Sequence, residues 1–201
     1  MPTKNSKMTS ASELPSTLRV LICGGGNGAH VMSGVASSQP NTEARVLTLY
    51  EDEAERWSQA LAEGDFIVHI RERGKRVNQL ISKPSMVTNN PGKAVEGCHV
   101  ILFVVPAFAH ELYLMALKPY IQPGTAIIGM PGQTGFEFAI RGILGDVVKE
   151  CTLLNFETLP WTCRVKLYGK EVEVMGTKTE LMGSAGYANT PPFVVDALAM
   201  V

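Results

Sequence analysis

Three consecutive glycines, Gly24-Gly25-Gly26, follow the branched apolar run Leu18–Cys23 and lead into Asn27–Ser38, where apolar residues recur at helical spacing. This order of buried strand, glycine turn and helix constrains the chain more than any other feature. Residues 24–29 read G-x-G-x-x-A, a permitted form of the dinucleotide-binding pattern. Each position has a physical task. Gly24 makes the tight turn off the strand. Gly26 lets the backbone approach a pyrophosphate. Ala29 is small enough for the helix to pack close to a sheet. The free N–H groups of the first helical turn, including those near Gly25, Asn27, Gly28 and His30, then face the anion with the helix dipole behind them.

The pattern continues along the chain. Ala44–Tyr50 reads as a second strand, and the acid-rich start at Glu51 as a helix carrying Ala54, Trp57, Ala60 and Leu61 on one face. The segments FIVHI and RVNQLI flank RERGK, and Gly74 predicts a β-hairpin inserted into the alternation. His99–Val105 is the most apolar segment and reads as a central strand buried on both faces. A helix through His110, strands over TAIIGM and Thr152–Phe156, a helix from Gly135, and a closing hairpin about Gly169 complete the order. The expected fold class is therefore α/β: a Rossmann-type, doubly wound, mostly parallel sheet with an inserted β-hairpin. Ligands of such sheets bind outside the carboxyl ends of the strands, so the functional residues are expected in strand-to-helix loops. The domain reading is a disordered tail over residues 1–17, a dinucleotide-binding domain over 18–185, and the start of a further domain over 186–201.

Composition removes several function classes. With 18 Lys+Arg against 19 Asp+Glu, the 201-residue chain has no polyanion-binding balance, which argues against nucleic acid. The longest apolar run, Val100–Ala109, contains Pro106 and is too short to span a bilayer. Cys23, Cys98, Cys151 and Cys163 show no metal-ligand or CxxC spacing and read as reduced thiols of a cytoplasmic protein. The Ser/Thr-rich N-terminus lacks both an apolar signal core and arginine.

Further site candidates come from the other strand ends. The pattern expects an acid after the second strand; Tyr50 occupies the nominal position, which shifts the acid by one to Glu51. Glu51 is assigned to the adenosine ribose, with Asp52 as the alternative, although both acids also suit a helix start. No cation lies between Leu47 and Glu55, which favours NAD over NADP. Pro106 and Ala107, in the turn after the central strand, are placed against the nicotinamide end. His110 is read as structural, and His30 as a packing or polar contact beside the pyrophosphate loop. Gln133, Glu157 and Cys163 follow the later strands and are the candidates for contacting a substrate; a carboxylate such as Glu157 suits a cationic amino group.

Taken together, Cys23–His30, Arg45–Trp57, Val105–Glu111, GFEF with ILGD, Phe156–Arg164 and Glu171–Lys178 resemble the octopine and tauropine dehydrogenases of marine invertebrates. The resemblance implies an NADH-dependent condensation of pyruvate with an amino acid by reduction of the imine, in a monomer, with Glu157 and Cys163 at positions that contact the amino acid. It also implies a second, mostly helical domain that supplies a proton-donating histidine and a carboxylate-binding arginine. No histidine follows His110 here and no arginine follows Arg164, so the expectation is the cofactor part of such an enzyme, without catalytic residues of its own. The competing expectations are a free-standing NADH-binding module and a dehydrogenase domain of the glycerol-3-phosphate type.

Overall fold

The computed structural model describes residues 15–72 and 75–186. The N-terminal tail up to residue 14, the Gly74 turn and the expected further domain from residue 187 lie outside the described residues.

Eleven strands and five α-helices alternate along the described chain. The first unit is β1 (Leu18–Cys23), α1 (Asn27–Ser38), β2 (Thr42–Leu47) and α2 (Glu53–Ala62). β3 (Ile67–Glu72) and β4 (Lys75–Ile81) form the inserted hairpin, paired antiparallel. The chain then runs β5 (Met86–Thr88), α3 (Pro91–Val95), β6 (Val100–Phe103), α4 (His110–Leu117), β7 (Ala126–Gly129), α5 (Phe136–Leu144) and β8 (Thr152–Phe156). β9 (Trp161–Leu167), β10 (Glu171–Thr177) and β11 (Gly183–Gly186) end it.

The main sheet has seven strands in the order β11-β8-β7-β6-β1-β2-β5. All pairs are parallel except β11 on β8. Reading its six parallel strands in chain order gives 3-2-1-4-5-6, the doubly wound dinucleotide-binding arrangement. The strand order reverses between β1 and β6, so a crevice opens there at the carboxyl edge, directly above Cys23 and Phe103. The sequence makes this sheet because its central strands are apolar on both faces: every residue of β6 and of β7 is buried.

The two sheet faces carry separate cores. Alternation sends Val20 and Ile22 to one face and Leu21 and Cys23 to the other. The second face packs against α3, α4 and α5 through residues such as Tyr113, Leu114, Phe136 and Ile140. The first packs against α1 and α2, and beyond them lies a second sheet.

That second sheet departs from the sequence expectation. The inserted hairpin and the closing hairpin do not stand apart. They join through a parallel β3–β10 pair into a four-stranded sheet, β4-β3-β10-β9. It covers α1 from the side opposite the main sheet, and α1 is accordingly buried continuously from Gly28 to Ala36 rather than on one face. Gly34 permits the approach: a side chain there would collide with Val68 and lie 3.0 Å from Phe66. On β10 of this sheet, Glu173 is buried between Lys166 and Arg71, at 2.8 and 2.7 Å, and these cations hold its carboxyl down at a pKa of about 2. β5 and β11 were not legible as strands in the sequence; each is short and lies at an edge of the main sheet.

Candidate functional site

The glycine turn is built by three different demands. Gly24 has φ +124, and a Cβ on it would lie 2.6 Å from the Val104 carbonyl oxygen. The turn therefore presses against the end of β6, and its amide donates to Leu47 O at 2.8 Å across β2. Gly28 is held by packing, because a side chain would meet Leu159 at 2.6 Å and Val104 at 3.0 Å. Gly28, with Gly34, thus supplies the close helix packing that the sequence pattern assigns to Ala29; Ala29 is itself fully buried.

Gly26 is different. It is exposed, its φ of −86 suits any residue, and nothing lies within 4 Å of the Cβ position. Among the described residues, neither backbone nor packing demands a glycine here. It caps α1 without a side-chain hydrogen bond, so the first-turn amides face open space. A cradle left open at this one position fits a phosphate group approaching the backbone.

Two candidates from this loop have side chains committed inward. Asn27 is exposed, but its Oδ1 accepts from the Val165 amide at 2.8 Å, which ties the start of α1 to β9. His30 is fully buried. Its Nε2 accepts from the Gly169 amide at 3.0 Å, which requires a bare nitrogen there and leaves the proton on Nδ1 to donate to Gly26 O at 2.9 Å. The ring stacks on Trp57, with centroids 3.7 Å apart, and burial pushes its pKa down to about 4. His30 thus packs the loop from below, the contact role read from the sequence; its ring is placed against Trp57 and Tyr168 rather than in the open cradle.

The acidic turn after β2 distributes its carboxylates. Glu51 has φ +42 and is exposed beside Tyr50; a hydrogen bond to Glu51 raises the Tyr50 pKa above its usual value. Asp52 is paired with Arg56 at 2.8 Å. Glu53, half-buried, accepts from Thr48 Oγ1 and lies against Gly25, where a Cβ would collide with its carboxylate. The sequence reading did not single out Glu53, because it stands three positions past the nominal slot.

Pro106 and Ala107 lie exposed past the end of β6, in the extended turn and 3-10 segment that lead into α4. His110 is buried at the start of α4 against the edges of Phe103 and Phe136, and burial lowers its pKa. That is the structural role assigned to it from the sequence.

The three substrate candidates separate. Gln133, with φ +56, and Glu157 both line a cavity of about 710 Å3 at the carboxyl ends of β7 and β8, together with Thr134, Asn155, Met182 and Ser184. Cys163 does not line it. Cys163 sits within β9, opposite Val174, and packs against the core around α1. Of the substrate candidates, Cys163 within β9 and Glu157 in the β8–β9 connection do not occupy the strand-to-helix loops in which the sequence places its candidates. The cause is the second sheet, which converts this part of the chain from crossover to strand. Met182 and Ser184 were missed because β11 has no apolar alternation to announce it.

No family model matches the chain. It is 50% identical over 180 residues to tauropine dehydrogenase of Arabella iricolor, covering 90% of this chain and 45% of that protein. A solved structure of octopine dehydrogenase with NADH and L-arginine superposes with a TM-score of 0.88 at 44% identity, over 92% of this chain and 46% of that one. Yersinopine dehydrogenase with bound NADP+ shares the fold, with a TM-score of 0.75 at 14% identity, over 92% of this chain and 45% of that one. The chain thus spans a little under half the length of the relatives it matches. Across that span it is a homologue of the opine dehydrogenases, corresponding to their N-terminal, Rossmann-type half.

Proposed function

We propose that the chain holds NADH as the cofactor-binding part of an opine dehydrogenase, which reductively condenses pyruvate with an amino acid. One observation carries the reading: Gly26, at the switch point of the sheet, is a glycine that no contact or backbone angle among the described residues requires. The likeness to octopine dehydrogenase, a protein solved with NADH and with L-arginine, supports it.

Within this reading the amides around Gly24, Gly25, Gly26 and Gly28 receive the pyrophosphate, backed by the dipole of α1. The acidic turn Glu51–Glu53 takes the adenosine ribose. Pro106 and Ala107 border the nicotinamide. Bound NADH would supply the hydride that reduces the imine. Gln133 and Glu157 face the amino-acid side of the same edge, where the Glu157 carboxylate attracts a cationic nitrogen. Cys163 belongs to this side only through its neighbours, since its own side chain packs inward. The resemblance to octopine and tauropine dehydrogenases assigns the proton donor and the clamp for the pyruvate carboxylate to the second domain of such enzymes. We place the protein in the cytoplasm, a reading supported by four free cysteines, and take it as a monomer on the resemblance to octopine and tauropine dehydrogenases.

The test is a fluorescence titration of the chain with NADH, followed by an assay of pyruvate with arginine, taurine, alanine or glycine, using the chain alone and the chain fused to the second half of tauropine dehydrogenase. Binding by the chain with turnover only in the fusion is the expected result. Failure to bind NADH at millimolar concentration would overturn the reading.

A further inference from the structure

At the amino edge of the main sheet, on the side away from the glycine turn, a separate cavity of about 680 Å3 opens between the end of α3 and the starts of β6 and β7. Its volume falls in the range of small-molecule sites. His99 and Thr125 form its wall at the two strand starts. Glu96 stands exposed beside it, and Pro119 and Tyr120 add flat apolar surface.

The polar groups of this wall are not used up inside the protein. His99 Nδ1 accepts from the Arg19 amide at 3.0 Å, which places the single proton of the ring on Nε2. Burial, with the Arg19 guanidinium nearby, lowers the His99 pKa, so the ring is neutral at pH 7. Its Nε2–H has no hydrogen-bond partner among the described residues. Thr125 is only 5% exposed, yet its hydroxyl has none among them either. A hydroxyl buried this far calls for a partner from outside the chain. The Glu96 carboxylate likewise has no partner among the described residues. Cys98 adds no charge, because its thiol donates to Ala94 O and burial pushes its pKa up to about 11. Arg19, which lies against Gly97, is already paired with Glu43 at 2.9 Å.

We propose that this cavity binds a small zwitterionic amino acid, its carboxylate or sulfonate on His99 Nε2–H and the Thr125 hydroxyl and its ammonium on Glu96. The three groups narrow the class between them. A simple anion would answer the two donors but meet the Glu96 charge. A simple cation would answer Glu96 and leave both donors facing no acceptor. An apolar molecule would cover all three without satisfying any. The site needs no cofactor and lies at the other edge of the sheet from the proposed NADH crevice.

The probes are taurine and alanine, titrated separately at pH 7 into the 15N-labelled chain without NADH. Acetate and ethylamine are the anion-only and cation-only controls, and thermal melts run alongside. At least one of the two amino acids should shift the amides of Gly97, His99, Gly124 and Thr125 and reach saturation. Each control should bind about tenfold more weakly, the worth of one charge-assisted hydrogen bond. Thr125→Val keeps the shape and Glu96→Gln alters only the exposed rim. Each should weaken amino-acid binding by about tenfold, with a melting temperature close to wild type. Absence of these shifts at tens of millimolar of both amino acids, or shifts confined to the Gln133–Glu157 cavity, would overturn the proposal. So would acetate binding as tightly as the amino acid, or an affinity unchanged in either variant. If Thr125→Val does not fold, Glu96→Gln and the acetate comparison decide. NADH is absent throughout, so none of these outcomes bears on the cofactor reading.

Discussion

Acid should destabilise this protein through His30. The ring accepts a hydrogen bond from the Gly169 amide on Nε2, so a proton added there would face another N–H at 3.0 Å. It is also fully buried and stacked on Trp57. The native state therefore keeps the imidazole neutral, and its pKa falls from 6.5 to about 4. The unfolded chain, with an ordinary histidine, binds the proton first. Stability is thus complete above about pH 6.5 and declines as pH falls towards 4, because the unfolded state holds more protons throughout that window. The fall from 6.5 to about 4 corresponds to about 3 kcal/mol in total, with about 2 kcal/mol already lost at pH 5. Urea unfolding of wild type and His30→Gln at a series of pH values between 7.5 and 4.5 measures it. Glutamine is neutral throughout. It should be less stable at pH 7.5 for lack of the stacked ring, yet flatter on the acid side by about 2 kcal/mol at pH 5. His99 and His110, whose pKa values are also lowered by burial, contribute equally to both proteins and cancel in the difference. Parallel pH profiles for the two proteins, or a His30 resonance titrating near pH 6.5, would refute the argument.

Other substitutions test the loop and the packing around it. Gly26→Val places a branched side chain in empty space, so the melting temperature should hold while NADH binding is lost even at millimolar ligand; a fluorescence titration and a thermal melt on one sample separate the two. Gly34→Ala forces α1 away from Val68 and Phe66, and urea unfolding should show a loss of about 1–3 kcal/mol. Asn27→Ala removes the tie between α1 and the Val165 amide, costing about 1 kcal/mol by the same measurement, with amide exchange at Val165 accelerated.

The glycine turn and the main sheet were legible because their signals are local. A strand ending in G-x-G-x-x-A and opening a helix can be read within a dozen residues, and uniformly apolar β6 and β7 mark a parallel sheet covered on both faces. The short edge strands were not legible: Met86–Thr88 and Gly183–Gly186 are held by pairing to β2 and β8 rather than by any pattern of their own. The ribose acid was sought by counting from the glycine motif, and counting stops at Glu51. That Glu53, two residues on, touches Gly25 and Thr48 depends on how β1 and β2 lie side by side, which no count along the chain reveals.

By itself, then, the sequence determined the doubly wound sheet, the glycine turn at its first crossover, and the likeness to opine dehydrogenases, since hydrophobic period and glycine spacing act over short stretches. Only the tertiary structure decided that two hairpins far apart in the chain form one sheet over α1, that His30 and Asn27 brace the loop from beneath, and that Cys163 turns into the core. Those outcomes rest on the β3–β10 pairing, which joins Ile67 to Glu171 and their neighbours across about a hundred residues. No local propensity encodes such a pairing; it forms because the buried face of α1 needs a second cover.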